Sequence, residues 1–400
     1  MNPFRVSGWK LICLSALAWC PGACTTEPHG DWEQHAYIWS RDESTDSVDV
    51  PKQIGALRIL VAQWSSSGDA PWMLKPARPE AVSLPDSAIA VVRLDGTAIA
   101  VSAPTVARSL KDSLFKRHAG WKPQAIEIDH DSATARIGDY ANWLREFRQE
   151  WGAQSPVWIT ALPDWRRSSS LSELLDAVDA YTLQIHALNA NSGELIDQNQ
   201  AMSWIARFEE RSGTPYFVAL PTYVLRVGKG HDGGVRFVES GVPIGATAAD
   251  EQTLFADPTD LAALATRLRG GRSDQRRGIA WFRFPVAGDR STISMQTFDA
   301  LIAGQPLERK IEPVLVPVQV GGVTFDISLH NTGVHDTGLP RTVVLGSGCE
   351  IGDTASGFRA GQDHRQFDRA SQGLLRVGEA QSLGWIRCAS STPQAPTVHW

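Results

Sequence analysis

An irregular (β/α)8 TIM-like barrel followed by a small C-terminal β-sandwich is the α/β fold class that this 400-residue sequence predicts. Three observations predict it. Eight short apolar runs of strand length recur between residues 36 and 285. From the third run onward, segments with helical apolar spacing separate them. Beyond residue 312 the helical spacing stops, and only strand-like runs with Gly, Asn and Asp turns remain.

The eight runs are Ala36–Trp39, Ala56–Trp64, Ala88–Asp95, Ala125–Asp131, Val157–Pro163, Ala180–Ala187, Tyr216–Pro221 and Gly278–Pro285. Helices are predicted at Thr105–His118, Ile137–Trp151, Ser170–Ala177, Gln200–Arg211, Pro258–Leu268 and Ser294–Ile302. Asp257-Pro258 is a strong helix start, because an aspartate caps orphan backbone N–H groups and proline suits the first helical position. Strand and helix in alternation argue for parallel strands with helices outside. A doubly wound open sheet is the alternative. The connections Arg41–Gln53 and Ser65–Ser87 are rich in Ser, Asp and Pro and show no helical pattern, so that side of the barrel is expected to be irregular.

The barrel is expected over residues 36–304 and a linker over 305–312. The β-sandwich is expected over 313–390, with strands at Val314–Val320, Val323–Leu329, Arg341–Leu345 and Ser382–Cys388, and then a loose tail over 391–400. At the other end, Arg5 and Lys10 precede an apolar stretch, Leu11–Trp19, that is too short to span a bilayer, and Gly22-Ala23-Cys24 follows. This reads as a secretory signal over 1–23, with 24–35 as a polar tether. Ala23-Cys24 resembles a bacterial lipoprotein cleavage site, which implies lipidation of Cys24 and a membrane anchor on the periplasmic side. Pro21 departs from the aliphatic residue usual three places before that cysteine, so ordinary signal cleavage stays open. Cys13 and Cys20 leave with the signal; if Cys24 carries lipid, Cys349 and Cys388 make an even pair, expected as a disulfide in an oxidising compartment, with two buried free thiols as the alternative.

A formal charge of −6 and the lack of a Lys/Arg block argue against a nucleic-acid partner. Fifteen tryptophans suit sugar stacking, although most are expected in the core.

Fully buried parallel strands should read as nearly continuous apolar runs. Several of these do not, and their polar positions keep a period of two. Glu127, Asp129 and Asp131 share one face of the fourth run, with Ile126 and Ile128 on the other. Arg93 and Asp95 alternate with Val92 and Leu94; Thr182, Gln184 and His186 alternate with Leu183 and Ile185; Arg283 lies between Phe282 and Phe284. Tyr223 follows the seventh run, and Trp39, Trp64 and Trp165 lie at the ends of the first, second and fifth. Sites of such barrels sit at the C-terminal strand ends, so these groups are expected to converge on one polar cavity. The structural alternative is a satisfied polar core in which Arg93 and Arg283 pair with the carboxylates. His130 points away from that face by alternation.

The phrases AYIW, IEIDHDSATARIGDYANWLR, WITALPDW, YTLQIHAL, FVALPTY and GIAWFRFPVAGDR resemble domain-of-unknown-function family 3142, a group of bacterial proteins. The resemblance implies a relation to barrel glycoside hydrolases. The acidic ladder is also similar to that of chitinase-like barrels of glycoside hydrolase family eighteen, which ends in a catalytic glutamate. That likeness implies Asp131 as general acid and Asp129 as its supporting carboxylate, with Tyr223 and Trp281 in the tyrosine and platform-tryptophan roles. Asp131 is one methylene shorter than the glutamate of that pattern.

Glycosidic cleavage needs a proton donor and a group that stabilises positive charge on the ring. Two carboxylates about 7 Å apart along one strand face can divide those tasks. The expected function is therefore that of an exported, lipid-anchored protein that acts on or binds a carbohydrate at the barrel mouth. Asp131 and Asp129 are its catalytic candidates. Arg93, Asp95, Glu127, Gln184, His186, Tyr223, Trp281 and Arg283 are its binding candidates. A non-catalytic glycan- or protein-binding lipoprotein is the alternative, with the β-sandwich as a docking module. A metal-dependent hydrolase using Asp129, Asp131 and His186 ranks third, since the sequence carries no His- or Cys-rich metal motif. No cofactor is expected.

Overall fold

A computed structural model of the chain describes residues 32–39, 49–65, 73–77, 84–85, 87–96, 98–118, 121–186, 195–229, 235–239, 252–271, 273–286, 289–355 and 357–400. The predicted signal segment, Cys24 and the first part of the tether lie outside the described residues.

The apolar runs become strands. In chain order they are β1 (Glu33–Ile38), β2 (Ala56–Ser65), β3 (Met73–Pro76), β4 (Ile89–Leu94), β5 (Ala125–His130), β6 (Val157–Ala161), β7 (Ala180–Gln184), β8 (Tyr216–Pro221), β9 (Val224–Lys229), β10 (Val235–Glu239), β11 (Gln252–Phe255) and β12 (Arg276–Phe282). Eight of them, β1, β2, β4, β5, β6, β7, β8 and β12, pair in parallel in that order. β12 also pairs with β1, so the sheet closes into a barrel and the open-sheet alternative falls. Closure brings β12 tight against β1: a Cβ at Gly278 would lie 1.8 Å from the Glu33 carbonyl oxygen.

β1 starts at Glu33, with Gln34 and His35 buried, three residues ahead of the expected start of the barrel. The irregular side is real: the segment after β2 returns as antiparallel β3. A three-stranded antiparallel sheet, β10-β9-β11, follows β8, where the sequence suggested no strands.

The helices α1 (Ala103–Arg117), α2 (Ile137–Trp151), α3 (Leu171–Leu175), α4 (Gln198–Glu209), α5 (Pro258–Gly270) and α6 (Met295–Ile302) follow the expected segments. Asp257 caps α5 by accepting from the Thr259 N–H, with Pro258 in the first turn. None of these helices is long and apolar enough to cross a membrane.

Alternation sorts the barrel residues into two sets. Ile38, Ile59, Val92, Ile128, Ile159, Leu183, Val218 and Trp281 face outward and form the main core with the helices. Tyr37, Leu60, Val91, Phe217 and Ala280 face inward, with Trp39 and Phe282 packed on them. Below, Ala56, Ile89 and Ala125 fill the floor.

Beyond the barrel, two four-stranded antiparallel sheets share a second apolar core. One orders Ile311–Pro317, Thr324–Asn331, Ala380–Cys388 and Cys349–Thr354; the other orders Phe358–Ala360, Gln366–Arg369, Thr342–Val344 and Thr397–His399. Two boundaries shift. The first strand begins inside the expected linker, and the expected loose tail supplies a strand paired with Thr342–Val344. Cys349 and Cys388 are register partners and form a disulfide. These sheets grip the barrel: Asp336 accepts from the Ser294 backbone N–H at 2.6 Å, and Arg376 donates to the Thr292 carbonyl.

Candidate functional site

The C-terminal ends of the barrel strands open into a cavity of about 630 Å³ lined by fourteen residues. Seven of the residues expected there line it: Arg93, Asp95, Asp129, Asp131, Gln184, His186 and Arg283, together with Trp39. The convergence inferred from period-two polarity is therefore present in the fold.

Arg93, at the end of β4, organises the acidic groups. Its Nη1 donates to Asp129 at 2.8 Å and its Nη2 to Asp131 at 2.6 Å, while Nε lies 3.5 Å from Asp95. Parallel register explains the arrangement, since Arg93 sits beside Asp129 on adjacent β4 and β5. The two principal carboxylates differ in exposure. The Asp129 side chain is 4% exposed and that of Asp131 is 47% exposed. Asp129 also accepts from the Thr160 hydroxyl at 2.6 Å. Burial raises the Asp129 pKa above the usual carboxylate range, and the neighbouring Asp131 charge adds to that, against the pull of Arg93. Burial by itself would lower the Arg93 pKa, but Asp129 and Asp131 more than offset it, and the guanidinium stays charged.

His186 lines the far wall, and burial pulls its pKa down to about 4, so the imidazole is neutral at pH 7. Its buried Nδ1 has no hydrogen-bond partner among the described residues. Tyr223 flanks the cavity rather than lining it, with its ring edge-on to His186 and Phe282. Arg283 reaches Asp289 at 3.2 Å and Ser291 at 3.3 Å. Arg376 of the C-terminal sheets donates to the Asp289 carbonyl at 3.4 Å and so helps to hold that segment.

Several expected members lie elsewhere. Glu127 is one layer deeper than Asp129, fully buried, and binds Arg58 at 2.6 Å and the Tyr37 hydroxyl at 2.6 Å. For Glu127 the satisfied-core alternative is the correct one. Trp281 is fully buried on the outer face of β12, donates to Gln34 and packs edge-on against Phe298, so it is no platform. Alternation gives the inward position to its neighbour Phe282. Trp165 is buried, with Nε1 donating to the Ser132 carbonyl at 2.8 Å. Trp64 is displaced by a bulge. The β2–β4 register shifts between Leu60 and Ala62, which turns Gln63 inward beside Arg93 and Trp64 outward. Gln63 then donates to Asp95 at 2.5 Å. His130 faces away as expected, against Tyr140 and the Leu94 carbonyl.

Sequence reasoning missed Tyr37, Gln63, Thr160 and Phe282. Thr160 and Phe282 keep the inward parity of their strands, and counting parity from Ile159 and Trp281 would have found both. For the metal-hydrolase alternative, no group of three His, Cys, Asp or Glu among the described residues is placed to hold an ion.

Chemically, the mouth offers water access, one aromatic wall of Trp39 and Phe282, and a polar wall of carboxylates and amides. Proton donation by Asp131 is hindered as it stands. Its Oδ2 already accepts from Arg93, and a proton on that oxygen would displace the bond.

Against known proteins, a family model described as Domain of unknown function (DUF3142) matches residues 85–287, just over half of the chain. A second, Domain of unknown function (DUF8456), matches residues 316–389. No curated protein matches the sequence. Among solved structures, chitinase ChiA74 from Bacillus thuringiensis aligns at TM-score 0.43 and 8% identity, over 92% of this chain and all of its own. The spore cortex-lytic enzyme SleL of Bacillus megaterium QM B1551 aligns at 0.45 and 10% identity, over 69% of this chain and 74% of its own. A glycoside hydrolase family 18 N-acetylglucosaminidase from Paenibacillus barengoltzii aligns at 0.43 and 10%, over 68% of this chain and all of its own. Likenesses this remote transfer no chemistry to the cavity.

Proposed function

The chain belongs to the family described as Domain of unknown function (DUF3142), and from that premise we propose that its barrel mouth binds a carbohydrate. One observation carries this reading: the cavity sets the aromatic wall of Trp39 and Phe282 against Gln63, Arg93, Asp95, Asp131 and Gln184. A sugar ring has an apolar face that stacks on aromatic carbon and a rim of hydroxyls that needs directed polar partners, and this wall pairing supplies both. Titration calorimetry of the full chain against a panel of neutral, amino and acidic oligosaccharides tests it. At least one class is expected to bind, and Trp39→Ala should weaken that binding by about tenfold, the loss of roughly 1.4 kcal/mol of stacking. No heat with any class would overturn the proposal.

Hydrolysis is the second reading, favoured by the raised pKa of Asp129 beside a solvent-facing Asp131. In this scheme Arg93 swings off Asp131, and the proton held by buried Asp129 passes to Asp131 and from it to the leaving oxygen as the C–O bond breaks. Asp129, now an anion, supports the charge on the ring until water adds to the ring carbon and returns its proton to the carboxylate pair. Asp131→Asn should abolish turnover of a labelled oligosaccharide and leave its binding in place. Equal turnover in both proteins removes Asp131 from the mechanism.

We also propose export, with anchoring through lipidated Cys24. The cationic start, the short apolar stretch and the small residues before Cys24 support it, as does the Cys349–Cys388 disulfide, since such bonds persist in oxidising compartments. Expressed whole in a bacterium, the protein should partition into detergent, and Cys24→Ala should move it to the aqueous phase. Partition unchanged by that substitution contradicts the anchor.

A further inference from the structure

The hydrogen-bonding inventory of the mouth is lopsided, and the imbalance specifies the ligand more narrowly than the aromatic wall does. All three Arg93 guanidinium nitrogens already face a carboxylate of the same cavity. The Gln63 amide donates to Asp95 and the Thr160 hydroxyl to Asp129. Arg283 is engaged with Asp289 and Ser291. The Arg93, Gln63 and Thr160 donors are thus turned onto acceptors of the same cavity, and the Gln184 amide and the Trp39 indole are further side-chain N–H groups of its lining. What faces the solvent includes carboxylate oxygens of Asp95, 34% exposed, and of Asp131, 47% exposed. His186 lines the same cavity and presents a buried Nδ1 with no partner among the described residues, an unmet hydrogen-bonding atom whose role as acceptor or donor follows the imidazole tautomer.

Charge leans the same way. Among the described residues, two guanidiniums, of Arg93 and Arg283, line the mouth with three carboxylates, of Asp95, Asp129 and Asp131, and a fourth, of Asp289, pairs with Arg283 behind them. Even with Asp129 protonated, the anions outnumber the cations. An acetamido sugar or a neutral glucan offers hydroxyl and amide donors but no charge to offset this excess. A glycan with a free amine offers three N–H donors and one positive charge per amine.

Resting on the carbohydrate reading above, we propose that the mouth selects a glycan bearing free amino groups, with an ammonium group seated between Asp131 and Asp95. The probes are glucosamine oligosaccharides of four to six units and their fully N-acetylated counterparts, titrated into the full chain at pH 6. The amino form is expected to bind at least about tenfold tighter at 50 mM salt, and a rise to 500 mM should erode most of that ratio. Asp131→Asn and, separately, Asp95→Asn should each reduce the preference about threefold or more while leaving the melting temperature near wild type. Equal or tighter binding of the N-acetylated form, or a preference that salt does not touch, overturns the amine selectivity and leaves the carbohydrate reading standing. Absence of binding by both forms and by the neutral and acidic classes overturns the two together.

Discussion

Two layers of the same barrel interior use the same chemistry to opposite ends. In the deeper layer, Arg58 and Glu127 are both fully buried and meet at 2.6 Å. Arg58 also donates to Thr182 at 2.5 Å and packs its guanidinium over the rings of Trp158 and Phe217. His35 stacks on Phe217, accepts from Arg58 at Nδ1 and meets Glu33 through Nε2. Burial alone would lower the Arg58 pKa, but Glu127 and Tyr37 together, through charge and hydrogen bonds, more than offset it. Charge is matched one to one and sealed. One layer up, Arg93 serves three carboxylates, and two of those are partly exposed. Ion pairing is common to both layers; what singles out the mouth is surplus acceptor capacity in contact with water.

Breaking the deep pair should give the largest effect. Glu127→Gln leaves a buried guanidinium without its counter-charge, at a cost of about 3–5 kcal/mol. Urea denaturation followed by tryptophan fluorescence should show a correspondingly lower midpoint, whereas an unchanged midpoint would mean that the pair is neither sealed nor needed.

Acid should act next. Burial lowers the His35 pKa to about 4, from 6.5 in the unfolded chain. The unfolded chain takes up that proton first as pH falls, so this contribution is whole above about pH 6.5 and is lost progressively towards pH 4. It is worth roughly 3 kcal/mol. A pH series of melting temperatures should fall across that window, and His35→Gln should flatten the fall. If the slope survives the substitution, His35 is not its source.

The mouth should respond least in stability and most in binding. Asp131→Asn, at a half-exposed carboxylate, is expected to change folding free energy by less than about 1 kcal/mol. A stability loss as large as that of Glu127→Gln would make the mouth a second structural layer and erase the contrast.

The fold was legible because strand alternation and helical spacing are local properties of the chain. So was most of the site, since polar residues repeated at period two within runs that should have been apolar. The errors came from facts that one strand does not contain. Glu127 and Asp129 share a face, and only depth separates a sealed group from a wet one. The partner of Glu127, Arg58, was hidden inside the apolar run ALRILVAQW. A single bulge in β2 exchanged Trp64 for Gln63, and no residue type announces it. Trp281 was assigned by likeness to a platform, although its parity beside Phe282 already pointed it outward. The strands β9, β10 and β11 went unseen because their segment carries glycines and charges that read as turns.

The contrast between the layers is most directly tested by side-chain NMR of the arginine Nε–H groups during titration with a bound oligosaccharide. Arg93, which lines the mouth, is expected to shift in proportion to saturation, along with the Trp39 indole, while Arg58 stays fixed. A ligand that moves Arg58 and leaves Arg93 unchanged, or that saturates without moving either, would contradict the account.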